Sequence, residues 1–167
     1  MNPDELETLK LINLYGVAID SQNWDFLGEI FTEDGIADYG DGFVFRGLDA
    51  FKKGAAMAWG RFEATQHAMS TTVWRLGGKT GRTLTYGSWC IRQSGVKGGD
   101  IWEGKGWYDD EWVRLDAGWR IKHRSCRVMW WSGNARIMLG EAADDAQMKT
   151  YSLKEATKAG TLGFFRS

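Results

Sequence analysis

The first third of the chain carries apolar residues at helical spacing. Asn2 can cap a helix that has Pro3 at its first position, and the acidic residues after Pro3 suit the positive end of a helix dipole. Residues at steps of three and four then form one stripe that ends at Asp20. The members of this stripe are Leu6, Leu9, Asn13, Gly16 and Asp20, flanked by Ile12 and Ile19. The pattern predicts a first helix whose buried stripe ends in a carboxylate.

Two more helices and a hairpin are predicted before residue 64. Residues 24–31 have the pattern of a short amphipathic helix that stops at 32–35, and Asp49 can cap a helix over residues 50–61. Between them, Gly40-Asp41-Gly42 separates two short apolar runs, which predicts a hairpin at an edge of a sheet.

From about Ala64 the pattern changes to β-branched and aromatic strands. Residues 71–76 and 82–93 form one predicted hairpin around 77–79, and residues 102–115 and 119–131 form a second around 116–118. Helices followed by long strands predict an α+β fold: a cone-shaped, curved, mixed or antiparallel sheet with about three N-terminal helices packed in its concavity. We expect this domain to span residues 1–135. Residues 136–167 are interpreted as a tail of the same domain, a lid or an interface arm, with a helix from about Ala142 to Thr150.

Composition narrows the classes of partner. The 167 residues carry 21 Lys and Arg interspersed with 22 Asp and Glu, for a net charge of -1, which argues against a nucleic-acid or anionic-membrane partner. The acidic N-terminus and the absence of an apolar run of about 20 residues predict neither a signal peptide nor a membrane span, so we expect a cytoplasmic protein. Cys90 and Cys126 lack metal-ligand spacing and are interpreted as buried thiols. The 10 Trp, 8 Phe and 5 Tyr suit an apolar pocket, a sheet core or a subunit interface equally well.

Asp20 and His67 are the leading candidates for chemistry. A carboxylate at the end of an apolar stripe needs a partner, because burial disfavours its charge. If Asp20 accepts the imidazole N–H of His67, it fixes the tautomer and leaves the other ring nitrogen free to take a proton. The alternative is that Asp20 ends a helix and His67 is a border residue without a chemical role. Tyr15 either presents its phenol to the same cavity or packs in the core.

Other polar groups give weaker signals. Strand alternation groups His123 with Trp119 and Ile121, which favours a structural or interface role. Arg124 and Arg127 either stabilise an anion in the site or make surface ion pairs. The acidic residues 109–111 are interpreted as a solvated bulge rather than a metal site. Because nucleotide-binding, serine-hydrolase and metal-ligand motifs are absent, no cofactor is predicted.

Several short motifs, taken in order, resemble a known family. They are Leu14-Tyr15-Gly16-Val17-Ala18-Ile19-Asp20, Trp24-Asp25, Phe31-Thr32-Glu33-Asp34-Gly35, Gly47, Thr65-Gln66-His67 and Gly118-Trp119-Arg120-Ile121. Together they resemble the SnoaL-like branch of the nuclear-transport-factor-like (NTF2-like) superfamily, which includes scytalone dehydratase, lindane dehydrochlorinase and a bile-acid dehydratase. The resemblance implies a cone-shaped fold in homotrimers or homodimers.

The resemblance also implies roles for four residues. Asp20 and His67 match the family's Asp–His pair, in which the histidine removes a proton while a hydroxyl or halide leaves, without metal or organic cofactor. Tyr15 and Arg124 match a tyrosine and an arginine of family active sites. The expected function is a cofactor-independent, dehydratase-like lyase acting on a hydrophobic small molecule, for example a polycyclic or steroid-like compound.

Two other functions stay open at the level of sequence. An isomerase or cyclase would use the same base without a leaving group, and a ligand-binding or oligomer-assembly protein would need no Asp–His pair. An Asp20 carboxylate beyond hydrogen-bond reach of His67, or a cone filled by tryptophans, would argue against an enzyme.

Overall fold

The computed structural model describes residues 1–140 and 148–166 of the chain. Within these residues, five α-helices and six strands follow one another as α1 (Pro3–Asp20), α2 (Leu27–Ile30), β1 (Phe31–Asp38), β2 (Val44–Arg46), α3 (Leu48–Trp59), β3 (Ala64–Gly77), β4 (Thr80–Arg92), β5 (Ile101–Leu115), β6 (Gly118–Gly133), α4 (Arg136–Leu139) and α5 (Leu153–Lys158). Single 3-10 turns precede α2 at Trp24–Phe26 and follow α5 at Gly163–Phe165.

The six strands form one curved, open sheet in the order β2-β1-β6-β5-β4-β3, with the N-terminal helices packed against it. Only β1 and β6 pair in parallel, and every other neighbouring pair is antiparallel. The predicted α+β fold with a mixed sheet is therefore confirmed. The hairpin around Gly40-Asp41-Gly42 also lies at an edge, where β2 pairs only with β1.

Helix α1 begins as predicted but buries a different face. The Asn2 side chain and Glu5 form a capping box, each accepting a hydrogen bond from the other's backbone N–H. The buried residues are Thr8, Ile12, Tyr15, Gly16, Ala18 and Ile19. Leu6 is 47% exposed and Asn13 is exposed, so the predicted stripe through them is wrong. Apolar residues occur on two sides of this helix, and the packing against β3 selects the side that carries Ile12 and Tyr15.

The segment after α1 is more extended than predicted. Residues 24–30 form a 3-10 turn and one turn of helix, and β1 begins at Phe31 rather than after a stop at 32–35. Parallel pairing of Phe31 with Ile121 on β6 draws the chain into the sheet at this point. Helix α3 is capped by Gly47, at φ +90°, and the predicted cap Asp49 lies within its first turn.

The C-terminal segment runs from one face of the sheet to the other. Tyr151 donates its backbone N–H to the carbonyl of Val128 at 2.8 Å, on the helix-bearing side. At the far end, the Asp109 carboxylate accepts the backbone N–H groups of Gly163 and Phe164, and Phe164 is buried. Most of the helix predicted from about Ala142 to Thr150 falls on residues 141–147, outside the described residues. The division at residue 135 stays a prediction.

No helix within residues 1–140 and 148–166 combines the length and the apolar character that a membrane crossing needs.

Candidate functional site

Asp20 and His67 form a hydrogen-bonded pair between the end of α1 and the start of β3. The His67 Nδ1 lies 2.7 Å from Asp20 Oδ1, and the His67 backbone N–H donates to Asp20 Oδ2, also at 2.7 Å. The hydroxyl of Thr65 donates to Asp20 Oδ1 at 2.8 Å. Three donors on one strand therefore fix both oxygens of the carboxylate.

The Asp20 carboxylate is held in its charged form. Partial burial works against the charge, but the hydrogen bonds from His67 and Thr65 outweigh it and lower the pKa of Asp20 below its ordinary value. A charged Asp20 accepts the Nδ1 proton of His67, which leaves Nε2 as the basic nitrogen. Among the described residues nothing hydrogen-bonds to Nε2.

His67 borders a cavity of about 570 Å³. The residues around the inner part are mostly aromatic: Tyr15, Tyr39, Trp59, Phe62, Trp89, Trp102 and Tyr108. The mouth is formed by residues of the β1–β2 hairpin, the end of α3 and the turn after it, α4 and residues 148–151, among them Asp41, Arg61, Met138, Lys149 and Tyr151. Aromatic residues thus surround an open space next to the histidine instead of filling it.

Two tyrosines lie together beside the Asp–His pair. The hydroxyl oxygens of Tyr15 and Tyr39 are 2.7 Å apart, and the Tyr15 ring meets the His67 ring edge to face with 6.1 Å between centroids. Burial raises the pKa of both phenols well above the ordinary value, so both stay protonated. One of their two protons makes the shared hydrogen bond, and the other remains available to a ligand.

A third tyrosine hydroxyl, that of Tyr108, accepts a hydrogen bond from a tryptophan. The Trp89 Nε1–H donates to the Tyr108 hydroxyl oxygen at 2.6 Å, and both side chains border the cavity. Tyr108 and Tyr15 meet edge to face with 5.6 Å between ring centroids. Three tyrosine hydroxyls, those of Tyr15, Tyr39 and Tyr108, therefore belong to residues that border the cavity.

Arg124 lies behind this aromatic wall and does not border the cavity. Its guanidinium carbon is 4.2 Å from the Tyr15 ring centroid and 4.5 Å from the Tyr108 centroid. Nε and Nη2 donate to the two oxygens of Asp110, each at 2.7 Å, and both side chains are 0% exposed. The interpretation of Arg124 as part of a surface ion pair is therefore wrong. Tyr15 and Tyr108 border the cavity and Arg124 does not, so Arg124 can influence a ligand only through these two side chains.

The acidic residues 109–111 adjoin a register shift between Glu111 and Trp112, but Asp109 and Asp110 are buried rather than solvated. Successive residues of a strand face opposite sides, so Asp110 points to Arg124 and Asp109 points to the C-terminal segment on the outer face. Only Glu111 retains a solvated partner, Arg82. The polarity of the cluster suggests solvent, whereas in the fold each buried carboxylate has its own donors.

The remaining candidates lie away from the Asp–His pair or are unreactive. His123 follows the opposite alternation from Arg124 and faces the outer side of β6, and Arg127 pairs with Asp38 at 2.9 Å. Cys126 borders the cavity, but burial raises the pKa of its thiol to about 12, so it remains a thiol. Cys90 is only partly buried, contrary to the prediction.

Sequence reasoning missed Tyr39, Trp89 and Tyr108. Tyr39 ends a predicted edge strand, which gave no reason to place it beside Tyr15. Trp89 and Tyr108 lie on separate hairpins, and their meeting depends on the β4–β5 register that pairs Gly87 with Gly106. That pair of facing glycines among aromatic residues was the available signal.

Comparison with known proteins shows which family the chain resembles. The SnoaL-like domain family matches residues 3–125. An uncharacterized protein of Mycobacterium tuberculosis is 31% identical over 129 residues, which cover 72% of this chain and 82% of that protein.

Solved structures with a similar fold include the following three. A Novosphingobium aromaticivorans protein provisionally named a scytalone dehydratase has a TM-score of 0.69 at 22% identity, covering 78% of this chain and 87% of that one. A type 2 hexachlorocyclohexane dehydrochlorinase has a TM-score of 0.66 at 16% identity, with coverages of 79% and 92%. An NTF2-like superfamily protein of Salmonella enterica has a TM-score of 0.65 at 18% identity, with coverages of 83% and 96%. The chain belongs to the SnoaL-like domain family, within the NTF2-like fold.

Proposed function

We propose that this protein is a cofactor-independent lyase that eliminates water from a hydrophobic small molecule, with His67 as the base and Asp20 as the residue that orients it. The observation that carries the proposal is the fixed Asp20–His67 pair, whose free Nε2 belongs to a residue bordering a largely aromatic cavity. The names of two structural neighbours, a dehydratase and a dehydrochlorinase, also refer to eliminations.

The base side of the reaction follows from the tautomer. With its proton on Nδ1 held by Asp20, His67 takes a proton from a substrate carbon through Nε2, and the C–H electron pair forms the new double bond. Asp20 then stabilises the imidazolium that results. Because the His67 side chain is only 5% exposed, bulk water competes weakly for Nε2.

The leaving-group side is assigned to Tyr15 and Tyr39. The free O–H of this pair donates a hydrogen bond to the departing oxygen as the C–O bond breaks. With pKa values raised by burial, these phenols serve as hydrogen-bond donors rather than as full proton donors. The imidazolium of His67 then gives its proton to the departing hydroxide, which leaves as water and restores the base.

Arg124 is proposed to act on the site only through Tyr15 and Tyr108. Its positive charge lies close to both rings, where it is attracted by their electron density and helps to hold the two tyrosines in place.

Self-association is proposed as well. Tyr86 and Trp130 are exposed on the face of the sheet opposite the helices, where a second copy could cover them. Light scattering on a size-exclusion column measures the subunit count, and a monomer at working concentration would refute this part of the proposal.

A substrate panel tests the function. The panel contains cyclic β-hydroxyketones with one to four fused rings and the matched ketones without the hydroxyl, incubated in D₂O and followed by mass spectrometry. We expect loss of one water from the hydroxyketones and deuterium uptake next to the carbonyl in the ketones. Double-bond migration without water loss would identify an isomerase instead, and binding with neither reaction would identify a binding protein.

Gly16 sets the distance between α1 and His67, which gives a second prediction. A Cβ at position 16 would lie 3.1 Å from the His67 carbonyl oxygen and 3.3 Å from its Cβ. We expect Gly16→Ala to displace His67 and to lower kcat by about 3–10-fold. The free energy of unfolding should change by less than about 1 kcal/mol, because better helix propensity offsets the crowding.

Gly28→Ala is the matched control for this prediction. A Cβ there meets only Leu48 and Lys52 side-chain atoms, at 3.7 and 3.9 Å. Equal kcat values for both alanine variants, measured beside urea denaturation, would contradict the role of Gly16.

A further inference from the structure

We propose that Arg61 is a specificity-determining residue, whose guanidinium binds a carboxylate of the substrate at the end away from the carbon that gives its proton to His67. The inference rests on the proposed function and deepens it, because it narrows the substrate class to hydrophobic ring compounds that carry a carboxylate. Arg61 takes no part in the bond changes of the elimination and acts only in binding and orienting the substrate.

Arg61 is held in place on the rim of the cavity. It lies in the turn between α3 and β3 and borders the mouth. Its Nη2 donates to the carbonyl oxygens of Ile137 at 3.0 Å and Met138 at 2.9 Å, in the last turn of α4. The guanidinium carbon also lies 4.7 Å from the centroid of the Phe62 ring. Because carbonyls at a helix end lack partners within the helix, Arg61 caps α4 through one nitrogen and is positioned by that contact.

The other nitrogens of the guanidinium have no acceptor in the part of the chain that the structure describes. Nε and Nη1 make no hydrogen bond there, because both contacts of Arg61 come from Nη2. Two acids that lie near Arg61, on the rim and along the chain, have other partners. Asp41 pairs with Lys149, and the Glu63 carboxylate accepts the hydroxyl of Ser94. An anionic oxygen of a ligand would supply the partner that Nε and Nη1 lack.

The charge at the mouth favours a ligand with a single negative charge. Among the described residues that border the cavity, the charged side chains are Asp41, Arg61 and Lys149. Asp41 and Lys149 neutralise each other, which leaves one positive charge. The forked N–H groups of a guanidinium match the two oxygens of a carboxylate. Because Arg61 is exposed, a carboxylate bound there would keep part of its hydration, which limits the cost of desolvation.

Apolar side chains connect this charge with the interior of the cavity. Phe43, Met57 and Leu139 border the cavity and are 43%, 82% and 43% exposed. Exposed apolar residues beside a cavity mark a surface that a ligand covers, and a few polar groups then fix the orientation of that ligand. The substrate that fits this mouth therefore has an apolar body and one charged end.

The distance between Arg61 and the base suits a fused-ring body. Strand β3 begins at Ala64, three residues after Arg61, and His67 lies three residues further along the strand. An extended strand advances about 3.3 Å per residue, so the segment from Ala64 to His67 covers about 10 Å. A fused-ring system has a comparable length. A substrate with its reacting carbon at Nε2 of His67 can thus present a carboxylate on its opposite end to Arg61.

Binding of pyrenebutyrate and of the matched neutral amide, pyrenebutyramide, tests the proposal without turnover. The two compounds share one aromatic body, and energy transfer from the tryptophans around the cavity to pyrene reports their binding. We expect the wild type to bind the carboxylate about 5–20-fold more tightly than the amide, and Arg61→Gln to remove this preference. Added NaCl should reduce the preference as well, because salt screens exposed charges.

Arg92→Gln is the matched control, because it removes one positive charge from an exposed residue that does not border the cavity. It should keep the preference for the carboxylate. A preference below fivefold in the wild type would overturn the proposal even if Arg61→Gln does not fold. A preference that persists in Arg61→Gln, or that Arg92→Gln removes equally, would also overturn it.

The failure of this proposal is distinguishable from the failure of the proposed function. An inactive substrate panel would refute the lyase and leave the measured affinities unchanged. An active panel together with equal binding of the carboxylate and the amide would refute the role of Arg61 and leave the lyase intact.

Discussion

His67→Gln is expected to lower kcat/KM for water elimination by about 10²–10⁴-fold. Glutamine has a similar reach and can still donate a hydrogen bond to Asp20, but its amide cannot accept a proton from carbon at neutral pH. The folded structure should persist, because the backbone N–H of residue 67 and the hydroxyl of Thr65 still bind the carboxylate.

His123→Gln is the matched control, because it changes the only other histidine, which faces away from the cavity. Equal activity of His67→Gln and the wild type would refute the base.

Asp20→Asn tests the same proton transfer by changing the residue that accepts the His67 ring N–H. The asparagine amide would donate to Nδ1, place the imidazole proton on Nε2 and so remove the basic nitrogen from the cavity. Because the two residues act as a unit, the double variant should lose little more than either single variant. Additive losses would show that Asp20 acts independently of His67.

The Asp20 pKa adds a pH dependence to stability. A carboxylate with a lowered folded pKa contributes stability above its unfolded pKa of about 3.9, and the contribution is lost as the pH falls through the folded value. Asp20→Asn should therefore differ most from the wild type near neutral pH and least under strong acid, in unfolding followed by fluorescence.

Asp110→Asn is expected to cause the largest loss of stability, about 3–5 kcal/mol in the free energy of unfolding. The variant leaves the Arg124 guanidinium buried without a counter-charge, with both side chains 0% exposed in the folded protein. Urea denaturation followed by tryptophan fluorescence measures the loss. Asp25→Asn is the control, because Asp25 is 93% exposed in its pair with Lys52 and should contribute at most about 1 kcal/mol.

The double variant Asp110→Leu with Arg124→Met separates charge from packing. It removes both charges together and should regain much of the stability that Asp110→Asn loses. If Asp110→Asn is no less stable than Asp25→Asn, the buried pair does not hold these strands together.

The fold class was predictable from local sequence signals in those elements where tertiary contacts left the local preference unchanged. The Asn2 cap, the Gly-rich hairpin at residues 40–42 and the alternation of β3 to β6 each depend on a few neighbouring residues. The buried face of α1 was predicted wrongly, because a helix with apolar residues on two sides is oriented by its partner rather than by its own pattern.

The site was predictable only where one residue type was scarce. With two histidines in the chain, His67 could be weighed individually, the helical spacing pointed to Asp20 and Tyr15, and the family resemblance gave all three their expected roles. Tyr39 and Tyr108 are ordinary aromatic residues until β1 and β5 bring them beside Tyr15. The place of Arg124 behind the rings also depends on the β5–β6 register, which fixes Asp110 opposite it.

Asp109 and Asp110 are neighbours in sequence that serve opposite sides of one strand. A shift of β5 by one residue would turn Asp110 away from Arg124 and Asp109 away from the C-terminal segment, and it would turn the buried Tyr108 outward as well. The strand is thereby locked in register from both faces. We therefore expect insertions and deletions among relatives to occur in the loops rather than in this strand. Such changes would alter the mouth of the cavity and leave the spacing of the residues along its inner wall unchanged.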